Sequence, residues 1–279
     1  MTPRTDLALE RREMLGDRVP DGVRFDEIIS GPVKTTVIEI TSEKGGKALQ
    51  KPKGKYITVE SDSLTDCIDG KNAALIALKD SLSSLLPRGG GPVLVAGLGN
   101  EKITPDSLGP ETVGRIFATR HLENQTVKLG LPSLRPVSAV STGVMGQTGM
   151  ETVEMLTALC EKIRPSAVIV IDALAAANTK RIGNTVQLSD VGLSPGSGVG
   201  NNRRRIGRET LGVPVIAVGV PTVADASSFM GENENPCGNL MVTPRDIDRI
   251  IIDLSRLLGF AINLALQKNL SYSDLLSLV

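Results

Sequence analysis

The sequence predicts an α/β fold: a mainly parallel central sheet flanked by helices, with a β-rich addition at the N-terminus. Three observations predict it. Residues 93–98 (VLVAGL) and 167–171 (AVIVI) are short, continuous apolar runs, as expected of parallel strands buried on both faces. Such runs alternate with segments of helical periodicity, the pattern of strands joined by crossover helices. Before residue 92 the texture differs, and β-rich segments follow one another closely.

The elements follow in order. Residues 33–40 (VKTTVIEI) are β-rich with partial alternation and read as a strand. A Lys/Pro/Gly turn at 51–55 leads to a second strand at 56–60, so the two form a hairpin or meander with a long loop. Residues 67–86 read as a helix, with Ile68, Leu75, Ile76, Leu78, Leu82 and Leu85 recurring near the helical period. Pro87 and Gly89-Gly90-Gly91-Pro92 end it. The buried strand 93–98 stops at Gly99-Asn100, and a helix spans 107–121. A strand at 137–140, a glycine-rich turn and a helix at 150–163 lead into the strand 167–171. A strand at 184–188 precedes a long Gly/Ser loop at 192–200, read as flexible. Residues 203–211 read as helical, 213–220 as a strand, and 222–230 and 243–267 as helices. The chain reads as one domain over 1–279, with an N-terminal strand and helix layer (1–91) and an α/β core (92–279). It has no internal repeat and no low-complexity segment.

Composition removes several classes of function. Hydrophobic residues are 41% and charged residues 22%, which is ordinary globular usage and excludes bulk disorder. Lys+Arg and Asp+Glu are both 31, so there is no general electrostatic pull toward nucleic acid or an anionic membrane. Aromatics are 2%, too few for base-stacking platforms. No apolar run approaches a membrane span of roughly 18 residues, and the N-terminus has no apolar signal core. One histidine, His121, cannot build a site of several His ligands. Cys67, Cys160 and Cys237 are too dispersed for a disulfide framework or a Cys-rich metal site. A soluble cytoplasmic protein without a cofactor is expected.

Two aspartates are the candidate catalytic residues. Asp106 lies in Thr104-Pro105-Asp106-Ser107-Leu108-Gly109-Pro110, at or just before a helix start, where capping competes with function. Asp172 directly follows the apolar run 167–171, at a strand's carboxyl end, where open α/β sheets place ligand crevices. A buried, hydrogen-bonded structural aspartate is the competing reading. A βαβ arrangement sets both on one sheet edge. Paired carboxylates resist double ionisation, so one pKa rises, while a helix N-terminus lowers that of Asp106. Such a split makes one group an acid and the other a base.

Other motifs read more plainly. Gly97-Leu98-Gly99-Asn100 lacks the third glycine of a dinucleotide fingerprint, since position 102 is Lys102, and it reads as a tight turn. The glycines of 142–150 (TGVMGQTGM) suit positive φ angles, with backbone binding of a carbonyl as the functional alternative. Arg203, Arg204, Arg205 and Arg208 read as a solvated face, with an acidic peptide or phosphate as the alternative ligand. His121 falls in the last turn of the helix after Asp106.

The chain resembles the germination protease family. The segments that carry the resemblance are Arg4-Thr5-Asp6-Leu7-Ala8; Gly97-Leu98-Gly99-Asn100 with residues 104–110; residues 143–152 (GVMGQTGMET); Ile171-Asp172-Ala173-Leu174-Ala175; residues 196–203 (GSGVGNNR); and Val220-Pro221-Thr222-Val223. The resemblance implies an endopeptidase that degrades small acid-soluble spore proteins during germination, in the spore core, as a homotetramer. It implies a fold similar to the hydrogenase-maturation proteases and catalytic roles for Asp106 and Asp172 as an atypical aspartate pair. The alternatives are a metal-binding maturation protease and a non-catalytic module that holds an acidic peptide. Family members are made with an N-terminal prosegment, whereas only Met1-Thr2-Pro3 precede Arg4 here, so self-inhibition by a full prosegment is not expected.

Overall fold

The computed structural model describes residues 4–16, 18–122, 133–196, 203–226 and 240–278. Among these residues, nine strands form one sheet in the order β1-β2-β3-β7-β8-β6-β4-β5, with β9 added beside β8. They are β1 (Val23–Ser30), β2 (Val33–Ile40), β3 (Gly54–Glu60), β4 (Val93–Leu98), β5 (Val137–Gly143), β6 (Ala167–Ala176), β7 (Thr185–Ser189), β8 (Val215–Asp225) and β9 (Met241–Val242). The helices are α1 (Ala8–Glu13), α2 (Glu43–Leu49), α3 (Ala73–Leu85), α4 (Leu108–Val113), α5 (Met145–Thr148), α6 (Thr152–Ile163), α7 (Arg208–Leu211), α8 (Ile247–Leu266) and α9 (Tyr272–Leu276).

The α/β class and the central sheet flanked by helices are as expected. The parallel part is the block β5-β4-β6-β8. The strands β1, β2, β3 and β7 pair antiparallel, and β7 joins them to β8. The N-terminal strands therefore extend the same sheet and do not form a separate layer.

Period-two alternation sorts the buried side chains of the parallel strands onto two faces. Val93 and Val95 of β4 and Ile169 and Ile171 of β6 face α3 and α8, against Leu75, Leu78, Leu254 and Leu258. Leu94, Ala96, Val168 and Val170 face α6, against Val153 and Leu156. Burial on both faces is why these strands read as unbroken apolar runs.

Several boundaries differ from the sequence reading. The expected helix 67–86 begins only at Ala73. Asn72 caps it, accepting from Leu75 N at 2.7 Å, and Cys67 sits at φ 47 in the preceding turns. The expected helix 107–121 stops at Val113. Beyond it, the Asn263 side chain on α8 accepts from Phe117 N and donates to Arg115 O, replacing helical hydrogen bonds. His121 then lies in a separate short turn, Arg120–Leu122, and is exposed. The expected helix 203–211 is reduced to α7, because Ile206 bridges Leu193. Residues 222–225 belong to β8, where Val223 and Ala224 pair with Ala175 and Ala176; residues 227–230 of the expected helix lie outside the described residues. The long C-terminal helix starts at Ile247 after Pro244, since the residue before a proline disfavours the helical region. Two strands, β1 and β9, were not anticipated. Residues 197–200 of the Gly/Ser loop, residues 197–202 of the resembling segment 196–203, and Cys237 also lie outside the described residues.

Candidate active site

Glycines bring the first aspartate into place. β4 ends at Leu98, and Gly99 follows with a φ of 110°, which suits glycine. A Cβ there would lie 2.0 Å from the Asp106 carbonyl oxygen, and one on Gly109 would lie 2.2 Å from the Leu98 carbonyl oxygen. The absent side chains let the turn Thr104–Asp106 and the start of α4 rest on the end of β4. The turn reading of the 97–100 segment therefore holds. Asp106 does not cap α4. Its Oδ2 accepts from Asn100 N at 2.8 Å and closes the loop after β4.

The second aspartate is held inside the sheet. Asp172 is not the end of its strand, because β6 continues to Ala176. It is the first position beyond the pairing with β4, which ends at Gly97 and Ile171. Its neighbour on β8 is Gly219, and it is only 6% exposed. It shares sheet parity with Val168 and Val170, so an apolar pattern carries a carboxyl group to the edge of a buried face.

Asp106 and Asp172 line one cavity of about 450 Å³. Its walls include Leu98, Ile103, Pro105, Val144, Leu174 and Val223, with Arg203 as the cation. A second cavity of about 350 Å³ shares Asp172 and holds Arg11, Lys51 and Arg205. Asp172 stands at the junction of the two.

The electrostatics separate the two carboxyls. Burial raises the Asp106 pKa, against the Asn100 N–H and the nearby Arg203. This reverses the expected lowering by a helix N-terminus: desolvation outweighs donors in a half-buried loop. Burial raises the Asp172 pKa well above the carboxylate range, and the charges of Asp106 and Asp6 raise it further. Ala173 N, donating at 3.0 Å, and Arg203 oppose this and lose. Asp172 therefore holds its proton more firmly than Asp106 does.

Sequence reasoning gave one residue of this site no role and held a second only as the lesser alternative. Asp6 lines both cavities. The N-terminal segment lies along β6, with Asp6 N donating to Ala175 O at 2.9 Å and Asp6 Oδ2 accepting from Ala175 N at 3.0 Å. Leu7 packs on Leu174 and Ala176. The signal was Arg4-Thr5-Asp6-Leu7-Ala8, noted as a motif without a role. Arg203 is the other: the arginine run is not simply a solvated face, since Arg203 and Arg205 each line a cavity. The glycine loop 142–150 uses several of its own amides internally. Gln147 N, Thr148 N and Gly149 N all donate within the loop, and Gly143 and Gly149 have positive φ. Among the described residues, no group of three or more His, Cys, Asp or Glu side chains is arranged to hold a metal ion, and no helix is long and apolar enough to cross a membrane.

Fold and site together define an α/β enzyme whose paired carboxyls sit at the carboxyl edge of parallel strands. Comparison with known proteins makes this specific. A family model described as germination protease matches residues 5–237. A germination protease of Clostridium perfringens (strain SM101) is 38% identical, over 98% of this chain and 97% of its own. One from Caldanaerobacter subterraneus subsp. tengcongensis is 39% identical, over 98% and 96%. One from Priestia megaterium is 41% identical, over 82% of this chain and 65% of its own. The chain belongs to the germination protease family and is a protease. Among solved structures, a nickel–iron hydrogenase maturation protease from Thermococcus kodakarensis KOD1 aligns with a TM-score of 0.36 at 16% identity, over 65% of this chain and 98% of that one.

Proposed function

We propose that this protease is an endopeptidase that degrades small acid-soluble spore proteins through the pair Asp106 and Asp172, without a cofactor. The observation that carries the reading is the burial of Asp172 in the same cavity as Asp106, which favours the protonated form of its carboxyl. Asp106, less buried and beside a backbone donor, is the base. It removes a proton from water as the water oxygen attacks the scissile carbonyl carbon. Asp172 gives its proton to the carbonyl oxygen. On collapse the C–N bond breaks, the proton on Asp106 passes to the leaving amine, and that of the new hydroxyl returns to Asp172. The apolar walls of the cavity exclude competing water and strengthen the charge contrast.

We place the enzyme in the cytoplasm of the spore core as a homotetramer, on the family resemblance. Exposed Ile28 and Ile29 on the outer strand β1 are apolar surface that a subunit contact would cover. No direct contact with nucleic acid or membrane is proposed.

The test is a cleavage assay on a small acid-soluble spore protein, with fragments read by mass spectrometry. Asp106→Asn and Asp172→Asn should each lower kcat by about 10²- to 10⁴-fold, the usual range for a lost acid or base. Folded variants that cut at the native rate would refute the pair. Activity abolished by a chelator and restored by one metal would replace it with a metal mechanism.

A further inference from the structure

We infer that the Thr222 hydroxyl is a substrate-binding group, reserved for a main-chain amide of the peptide that enters the Asp106–Asp172 cavity. The inference rests on the proposed cleavage site and adds a residue to it.

Three observations carry it. Thr222 is 1% exposed, and its Oγ1 has no hydrogen-bond partner among the described residues. A buried hydroxyl left unsatisfied is a cost to the fold, which a valine of the same shape would avoid. Thr222 lines the cavity that holds both aspartates. It is also the extra residue of an irregularity in β8: Leu174 pairs with Pro221 and Ala175 with Val223, so Thr222 has no partner on β6. Such bulges re-aim a side chain beside active sites. The Thr222 main chain is held while this happens, since its carbonyl accepts from Thr243 Oγ1 at 2.8 Å. The backbone is fixed and the hydroxyl is unpaired, on a residue that lines the cavity of the two aspartates.

Two other buried threonines lack partners, and they differ in kind. Thr36 and Thr58 face each other across β2 and β3 and line neither cavity.

A threonine hydroxyl both donates and accepts, so it suits either the carbonyl or the N–H of a peptide unit. Its value appears only when that unit is present, because only then is the cost of burial recovered.

The experiment compares wild type, Thr222→Val and Thr222→Ser on a small acid-soluble spore protein, with thermal unfolding of each. Thr222→Val should lower kcat/KM by about 10- to 100-fold, the scale of a buried hydrogen bond lost from the complex, while Tm stays equal or rises. Thr222→Ser, which keeps the hydroxyl, should recover most of the loss. Three results overturn the inference: native kcat/KM in Thr222→Val, a loss that Thr222→Ser does not repair, or a Tm that falls in Thr222→Val. A peptide titration in the Asp172→Asn background separates the two claims. Weaker binding there on adding Thr222→Val supports the hydroxyl's role even if the aspartate chemistry is wrong, and unchanged binding overturns it even if that chemistry is right.

Discussion

Asp172 lies in an otherwise apolar strand, and its environment disfavours the charged form. Burial acts first, then the neighbouring charges of Asp106 and Asp6. Because the folded-state pKa is raised, folded protein keeps a proton that unfolded chain has lost once pH passes the ordinary carboxylate range. The native state then binds more protons than the unfolded state, so stability falls as pH rises through that window. Below the window both states are protonated and the effect vanishes. For one proton the slope reaches about 1.4 kcal/mol per pH unit. Asp172→Asn should therefore be inactive yet more stable than wild type at neutral pH, with a flatter pH dependence, as measured by denaturant titration across pH. The activity profile should be bell-shaped. Protonation of Asp106 gives the acid limb, shifted upward from the ordinary carboxylate value by burial, and ionisation of Asp172 gives the alkaline limb. Kinetics of kcat/KM against pH check both limbs, and Asp106→Asn should remove the acid limb from the residual activity and leave the alkaline one.

Two local constructions position the pair. One is the close approach of α4 and its preceding turn to β4, which Gly99 and Gly109 permit. Gly99→Ala would set a methyl against the Asp106 carbonyl and force a side chain into a positive φ. It should cost about 1–3 kcal/mol of stability and displace Asp106, so kcat should fall in the protein that still folds. The other is the latch of the N-terminal segment. Glu10, only 3% exposed, accepts from Ala177 N and Asn178 N just after β6. Arg181 bridges Glu10, Glu13 and Glu60, tying α1 to β3. Removing that cation leaves buried carboxylate oxygens without their partner. Arg181→Met should destabilise by about 1–3 kcal/mol, the backbone donors to Glu10 limiting the loss. Hydrogen exchange should then rise at Ala175, Ala177 and Asn178, the amides that the segment covers.

At the scale of the molecule, one sheet carries the N-terminal strands and the parallel block together. Val59 of β3, Val95 of β4 and Leu254 of α8 belong to a single core cluster. Unfolding should therefore be one cooperative transition by calorimetry; two resolved transitions would mark residues before 92 as a separable unit. Leu254→Ala, at full burial, should lower the midpoint of that same transition, with a loss of about 2–5 kcal/mol.

The parallel block was legible because its strands are buried on both faces, and burial writes itself into composition. The runs 93–98 and 167–171, the helix expected at 150–163 and the tight turn after Leu98 follow from local propensity and solvent exclusion alone. So does the suspicion attached to Asp172, a charge at the end of an apolar run. Other features depended on partners distant in the chain. α4 ends where Asn263 takes over its hydrogen bonds. Residues 222–225 are strand because an extended β6 offers them a ladder. Asp6 joins the site because its backbone pairs with Ala175. Even the direction of the Asp106 shift required the fold, since the desolvation that outweighs its donors is set by which walls surround it. Short-range pattern determines what a segment buries; the tertiary structure decides which polar groups meet, because a hydrogen bond or a charge contact depends on positions that only the assembled chain defines.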